Sequence, residues 1–293
     1  MHPIFPDIIQ NYPQLKYALL EAQTFDSRHF GFPQIYYDIM ETDKLRVGKF
    51  ADTFQQYNYF KDLVVCEAGV GRLALTQHYL PFVKKAYLIE NNPDLQPFLE
   101  TEIARMGLSH KVELLFGDAR KVSLPEPVDA LIGELMSIFC ANEFQVQIFR
   151  HLRQFLKPDG VMIPEKIVNT AQICEAEFEG EIAHYPLCFM RHLPTLLSLP
   201  AIVNTIDLRT ITAPVETFST PITCLNPGQA NAILLNSYVH LSGQNAFTGT
   251  DSLMPPTVCK LSAHHAIRPG DISILSSTIR YGTSLEECIF SLE

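Results

Sequence analysis

Tryptophan is absent from the 293-residue sequence, and long apolar runs are absent too. A membrane-spanning helix needs about 18–20 consecutive apolar residues, whereas the longest candidate, residues 193–206, is interrupted by Pro194 and Pro200. The first residues contain no basic segment followed by an apolar one, so we expect no signal peptide. These absences predict a protein that is neither secreted nor inserted in a membrane.

Positive charge is also scarce. The chain has 22 Lys and Arg against 32 Asp and Glu, which gives a net charge of -10. An acidic protein is a poor partner for a polyanion, so this balance argues against binding of nucleic acid or of an anionic membrane. A cationic substrate is compatible with it.

The cysteines show no pattern that indicates a metal site or a disulfide framework. They are odd in number and scattered, at Cys66, Cys140, Cys174, Cys188, Cys224, Cys259 and Cys288. We expect reduced, mostly buried thiols and a cytoplasmic protein. The sequence has no internal repeat and no low-complexity stretch.

Short apolar runs alternate with helical patterns in the first half of the chain. The predicted strands lie near residues 62–67, 86–89, 112–116, 130–132 and 161–163. Helices are predicted from the glycine pair to about Tyr79, from Asn92 to Gly107, and around residues 148–156. This alternation is typical of a doubly wound parallel sheet, in which ligands bind at the carboxyl ends of the strands.

The pattern changes near Pro164. Strands are predicted at residues 233–241, 257–262, 271–280 and 287–292, with turns at residues 269–270 and 281–283. They favour an antiparallel barrel or sandwich. The segment at about 178–204 fits neither half and is interpreted as an inserted arm.

A glycine pair follows the first predicted strand, in Glu67-Ala68-Gly69-Val70-Gly71. The pair suits either a dinucleotide or the nucleoside part of S-adenosylmethionine. Glu67 favours the second alternative, because a carboxylate there would repel a pyrophosphate. Glu90 ends the second strand 21 residues after Gly69, the usual place for a carboxylate that binds ribose. Asp118 follows the third strand at the same edge.

Two further carboxylates lie at this edge. Glu134 ends the fourth strand, and Glu143 follows nine residues later. They could form an acid–base pair, a metal site or a clamp for a cation. Since no histidine or third carboxylate lies nearby in sequence, a clamp for a guanidinium is favoured, because that group presents a planar fork of donors to carboxylates.

Glu134-Leu135-Met136-Ser137, with Glu143 nine positions on, resembles the double-glutamate loop of protein arginine methyltransferases. The segments 40–46 and 157–160 (Lys-Pro-Asp-Gly) are similar to this family as well, and the likeness covers roughly residues 36–170. The resemblance implies a Rossmann-like α/β methyltransferase domain over residues 56–165, preceded by cofactor-covering helices in 1–55. An antiparallel β-barrel-like domain would follow over 166–293, with a dimerisation arm at about 178–204 and a homodimeric assembly.

The resemblance also implies S-adenosylmethionine as cofactor and transfer of its methyl group to an arginine-type nitrogen of a protein, a peptide or a small guanidino compound. Glu134 and Glu143 would hold the guanidinium. The implied cofactor-binding residues are Arg46 at the cofactor carboxylate, Glu67, Gly69 and Gly71 in the glycine loop, Glu90 at the ribose, and Asp118 and Ala119 at the adenine.

Three positions depart from the family pattern. Leu73 stands in place of the third loop glycine, Leu135 replaces a tryptophan, and residues 252–254 (Ser-Leu-Met) replace a threonine-histidine-tryptophan element. They leave open a methyltransferase acting on another guanidine, amine or dedicated peptide, and an inactive relative that serves as an interaction protein. A nicotinamide oxidoreductase is disfavoured by Glu67.

Overall fold

The computed structural model describes residues 37, 40–178 and 183–293. Most of the predicted N-terminal covering segment, and four residues of the predicted arm, lie outside the described residues. Within them, no helix is long and apolar enough to cross a membrane.

A five-stranded parallel sheet forms the first half of the molecule. Its strands are β1 (Val64–Ala68), β2 (Lys85–Glu90), β3 (Val112–Phe116), β4 (Val128–Gly133) and β5 (Leu156–Ile163). The spatial order is β3-β2-β1-β4-β5, with every neighbouring pair parallel. The central strand β1 is buried along its whole length, which explains why all of its residues except Glu67 are apolar. The predicted doubly wound α/β fold is confirmed.

Three α-helices accompany the described strands: α1 (Lys44–Gln56), α2 (Gln96–Arg105) and α3 (Gln145–Leu152). Helix α3 buries Val146, Ile148, Phe149 and Leu152 on one face, as its apolar spacing predicts. The helix ends earlier than predicted, because β5 already begins at Leu156.

The predicted helix after the glycine pair is wrong. Only a single 3-10 turn, Thr76–His78, forms there. Leu73 has φ 68, and a residue in this left-handed region interrupts a right-handed helix. The hydroxyls of Thr76 and Tyr79 instead donate hydrogen bonds to the Glu67 carboxylate, and so hold the segment in a turn.

The second half of the chain is antiparallel. Its strands are β6 (Lys166–Glu175), β7 (His184–Pro186), β8 (Thr195–Leu196), β9 (Ala201–Asp207), β10 (Val215–Thr223), β11 (Gly228–Ser242), β12 (Asn245–Thr248), β13 (Thr257–Ile267), β14 (Ile272–Arg280) and β15 (Ile289–Leu292). One sheet runs β7-β13-β11-β6-β8, with β9 on β6 and β12 on β11, and a second runs β10-β14-β15. This confirms the predicted antiparallel, barrel-like second half.

Parts of the segment predicted as an inserted arm belong to this sheet. Strand β7 pairs with β13, and both β8 and β9 pair with β6. The strands β6, β9 and β10 were not predicted, because polar residues occupy many of their positions and blur the apolar alternation. A role of residues 178–204 in dimerisation stays a prediction.

Helix α1 packs against the barrel. Asn245 donates hydrogen bonds to the Lys49 carbonyl and to Thr53 Oγ1, both at 2.7 Å. The rings of Phe50 and Phe247 lie 6.2 Å apart. These contacts hold the middle of α1 against β12 of the barrel.

Candidate functional site

The glycine loop leaves β1 in a backbone conformation that favours glycine. Gly69 has φ 73 and Gly71 has φ 50, both in the left-handed region that L residues avoid. A Cβ on Gly69 would lie 2.4 Å from Leu135 Cδ2. The loop therefore passes directly beneath the residue that follows Glu134.

Glu90 ties this loop to the end of β2. Its Oε2 accepts a hydrogen bond from Gly71 N at 2.9 Å, and its Oε1 accepts from Asn91 N and Asn92 N at 2.8 Å each. Burial raises the pKa of Glu90, and the three amide donors oppose that rise. The structure thus brings the predicted residues Gly71 and Glu90 into direct contact.

Glu67 lies beneath the loop and is only 2% exposed. Its Oε2 accepts hydrogen bonds from Thr76 Oγ1 at 2.7 Å and from Tyr79 Oη at 2.5 Å. Burial raises its pKa to about 7, against the effect of these two donors. The structure gives Glu67 a place in the support of the loop, and its contact with a cofactor stays a prediction.

Asp118 and Ala119 follow β3 at the same edge. The Asp118 carboxylate accepts from the backbone N, Nε and Nη2 of Arg120, and these hydrogen bonds lower its pKa. Ala119 is buried. The Arg120 guanidinium lies 3.8 Å from the centre of the ring of Phe144, the residue that follows Glu143 in the sequence. Arg120 thus links the β3 loop to the loop that carries the two glutamates.

Arg46 projects from the first turn of α1 onto Glu134. Its Nη1 lies 3.0 Å from Glu134 Oε1, and its Nε lies 3.4 Å from Asp43 Oδ2. Asp43 caps the helix by accepting from Arg46 N at 3.0 Å, as expected of an aspartate at this position. The buried guanidinium is therefore shared by two carboxylates.

Glu134 and Glu143 belong to one loop between β4 and α3. Burial raises the pKa of Glu134, although the Arg46 charge opposes the rise. Burial raises the pKa of Glu143 to about 8, and the negative charge of Glu134 adds to that effect. The predicted pair therefore shares one electrostatic environment, with Arg46 as its counter-charge.

A family model described as PRMT5 arginine-N-methyltransferase matches residues 17–163, half of the chain. The chain belongs to this family. The resemblance to protein arginine methyltransferases is thereby confirmed.

Two curated relatives match part of the chain. The uncharacterized protein MJ1452 of Methanocaldococcus jannaschii is 31% identical over 147 residues, which are 50% of this chain and 56% of that protein. The histone-arginine methyltransferase CARMER of Drosophila ananassae is 29% identical over 106 residues, 36% of this chain and 20% of that protein. The matches thus span about half of one relative and a fifth of the other.

Two solved structures share the fold over most of the chain. The Trypanosoma brucei PRMT1 enzyme–prozyme heterotetrameric complex with AdoHcy aligns with TM-score 0.70 at 16% identity, over 85% of this chain and 88% of the other. Protein arginine methyltransferase 10 of Arabidopsis thaliana aligns with TM-score 0.69 at 15% identity, over 89% and 97%. At these identities the likeness concerns the fold alone.

Two site residues of this PRMT5-family chain were missed by sequence reasoning. Asp43 Oδ2 accepts from Leu253 N at 2.7 Å, so a backbone amide from the barrel reaches the start of α1. Gln145 is fully buried and brackets Glu134: its Oε1 accepts from Leu135 N at 2.9 Å and its Nε2 donates to Gly133 O at 3.3 Å. Asp43 carried a helix-capping signal, whereas no pattern marked Gln145.

The structure shows the backbone conformation or the contacts of each of the three departures from the family pattern. Leu73 adopts the left-handed φ of 68 that a glycine would adopt without strain. Leu135 packs on Gly69. The segment 252–254 supplies Leu253 N to Asp43 and so occupies the barrel side of the site despite lacking a histidine.

Proposed function

We propose that this protein transfers a methyl group from S-adenosylmethionine to a guanidino nitrogen of the arginine type. The observation that carries the proposal is the placement of Glu134 and Glu143 on one loop, beside the glycine loop and around the buried Arg46. Three carboxyl groups, those of Asp43, Glu134 and Glu143, interact electrostatically with the Arg46 guanidinium. The site is therefore suited to a second guanidinium.

The glycine loop fits the nucleoside part of the cofactor. A Cβ on Gly71 would meet the Tyr37 ring at 3.4 Å, so the glycine keeps the space beside that ring open. The Glu90 carboxylate is already positioned at this loop by three amide donors. We assign Glu90 to the ribose, Arg46 to the cofactor carboxylate, and Asp118 and Ala119 to the adenine end.

When bound, S-adenosylmethionine supplies an electrophilic methyl group. Glu134 and Glu143 hold the acceptor guanidinium, draw its positive charge toward their oxygens and orient the nitrogen that accepts the methyl group. Most of the rate gain therefore comes from positioning and from preorganised charge. The positive charge of Arg46 opposes the rise in the pKa of Glu134 that burial causes. Glu143, with its pKa raised to about 8, is suited to accept the proton that the methylated nitrogen loses.

The acceptor class, assembly and location are part of the proposal. A protein arginine is favoured because CARMER is named a histone-arginine methyltransferase. A homodimer is proposed by analogy with the heterotetrameric Trypanosoma brucei complex. All seven cysteines are free, which supports the cytoplasmic location inferred from the sequence.

The test is transfer of labelled methyl from S-adenosylmethionine to free arginine, agmatine, arginine-containing peptides and total cell protein. We expect label on an arginine side chain and a loss of at least about 100-fold in Glu134→Gln. The matched control is Glu100→Gln on the exposed face of α2, which we expect to retain full activity. Equilibrium binding of S-adenosylmethionine is measured for all three proteins.

Each outcome has a defined meaning. Label on a small guanidine alone would move the acceptor from proteins to metabolites. Cofactor binding without label on any guanidine would contradict the arginine proposal. Absence of cofactor binding by the wild type would indicate an inactive relative.

A further inference from the structure

The loop between the two glutamates contains a strained turn. Phe139 has φ 61 and Cys140 has φ 50, and both residues are fully buried. Neither is glycine, so each adopts a left-handed conformation that its own side chain disfavours. Such a conformation persists only where surrounding contacts impose it.

The contacts that impose this turn come from the barrel. Ser237 on β11 accepts a hydrogen bond at Oγ from Phe139 N, at 2.9 Å. Gly282, after β14, donates from its N to Cys140 O at 3.0 Å. The Phe139 ring also meets the Phe290 ring edge-on, at 6.1 Å. The shape of the double-glutamate loop is thus decided outside the loop.

A buried chain of hydrogen bonds orients the Ser237 hydroxyl. Ser237 Oγ donates to Asn169 Oδ1 at 2.7 Å, and Asn169 Nδ2 donates to Asn204 Oδ1 at 2.8 Å. Asn204 Nδ2 donates to Tyr281 Oη at 2.7 Å, and Tyr281 Oη donates to Glu216 Oε2 at 2.5 Å. Because every hydrogen in the chain points toward Glu216, the lone pairs of Ser237 remain directed at Phe139 N.

We propose that Ser237 is a positioning residue for methyl transfer. Through the Phe139 amide it sets the turn that separates Glu134 from Glu143, and the chain from Asn169 to Glu216 holds it in place. This role rests on the proposed function. It differs from general support of the fold because the contact ends on the loop that carries both carboxylates.

The test compares Ser237→Ala with Ser198→Ala. Ser198 is also a buried barrel serine, and its Oγ accepts from Ile173 N at 2.8 Å, so each substitution removes one serine acceptor from one backbone amide. We expect Ser237→Ala to lower kcat about tenfold or more, since small displacements of catalytic groups have large effects on rate. The affinity for S-adenosylmethionine should change less than about twofold. Ser198→Ala should leave kcat within the same factor of about two.

Hydrogen–deuterium exchange gives a readout that does not need activity. Ser237→Ala should speed exchange in peptides covering residues 135–142 and leave the β1 and β2 peptides unchanged, whereas Ser198→Ala should leave 135–142 protected. Ser237→Thr, which restores a hydroxyl, should recover both kcat and protection. Tyr281→Phe, which cuts the chain at its far end without changing ring volume, should give a smaller change of the same kind.

Equal effects of Ser237→Ala and Ser198→Ala on kcat and on loop exchange would overturn the proposal. If Ser237→Ala does not fold, Tyr281→Phe takes its place, and unchanged exchange in residues 135–142 of that variant would overturn the proposal. Absence of methyl transfer by the wild type would contradict the proposed function instead. In that case the exchange data still decide whether Ser237 holds the loop.

Discussion

Ionisation of Glu143 should lower the stability of the folded protein as the pH rises. Burial and the neighbouring Glu134 raise its pKa from 4.5 to about 8. Between these values the folded chain binds one more proton at this site than the unfolded chain does. The free energy of unfolding therefore falls with rising pH, by up to about 1.4 kcal/mol per pH unit for this one group.

The size of the effect can be bounded. The full shift would correspond to about 5 kcal/mol, but the Glu143 side chain is only partly buried, and solvent screening reduces the value. We expect the wild type to lose about 2 kcal/mol relative to Glu143→Gln between pH 5 and pH 9. The substitution keeps the shape of the side chain and removes its titration, so the difference between the two proteins isolates Glu143 from Glu67, whose pKa is also raised.

The measurement is urea unfolding of both proteins at one-unit pH intervals from 5 to 9. A constant difference in free energy across this range would refute the reasoning. Activity gives an independent check: because the pKa of Glu143 is raised, kcat/KM for a guanidino acceptor should rise with pH as this carboxyl ionises and then reach a plateau. A flat profile would show that Glu143 does not need to be ionised for the acceptor to bind.

Three substitutions around the site should separate its parts. Gly69→Ala introduces a Cβ 2.4 Å from Leu135 Cδ2 at φ 73, and should weaken S-adenosylmethionine binding at least about tenfold in calorimetry. Gln145→Leu leaves the amide and carbonyl on either side of Glu134 unpaired, and should destabilise the fold by about 1–3 kcal/mol and lower kcat. Glu41→Gln breaks the two-point pair with Arg72, at 2.5 and 2.7 Å. That change should speed cofactor dissociation about two- to fivefold at low salt and less at high salt.

Matched variants provide the controls. Gly107 has a similar φ of 72, and a Cβ on it would meet no atom within 4 Å. If Gly107→Ala weakened cofactor binding as much as Gly69→Ala does, the steric argument would be contradicted. Gln172→Leu removes a barrel glutamine whose side chain donates to Ser198 O, and should leave kcat unchanged. Glu102→Gln breaks an exposed pair with Arg105, and an equal change in cofactor dissociation would exclude a specific role for Glu41.

The sequence by itself determined the parallel sheet and the identity of its edge residues. Short apolar segments, each about as long as one strand, are typical of the buried strands of a parallel sheet. On this basis residues 62–67 predicted β1 and residues 86–89 predicted β2. Parallel strands place their carboxyl ends together, and this geometry alone predicted that Glu90 and Glu134 lie near the glycine loop.

Only the tertiary structure decided how these residues are held. Contacts between Asp43 and Leu253, and between Phe139 and Ser237, join residues 210 and 98 positions apart, and such pairings depend on how the barrel docks on the sheet. Glu67 was placed at the strand end by its position, yet the turn caused by Leu73 directed Thr76 and Tyr79 onto it. Sequence spacing reports which residues reach one edge, whereas side-chain direction and hydrogen-bond partners depend on packing between distant segments.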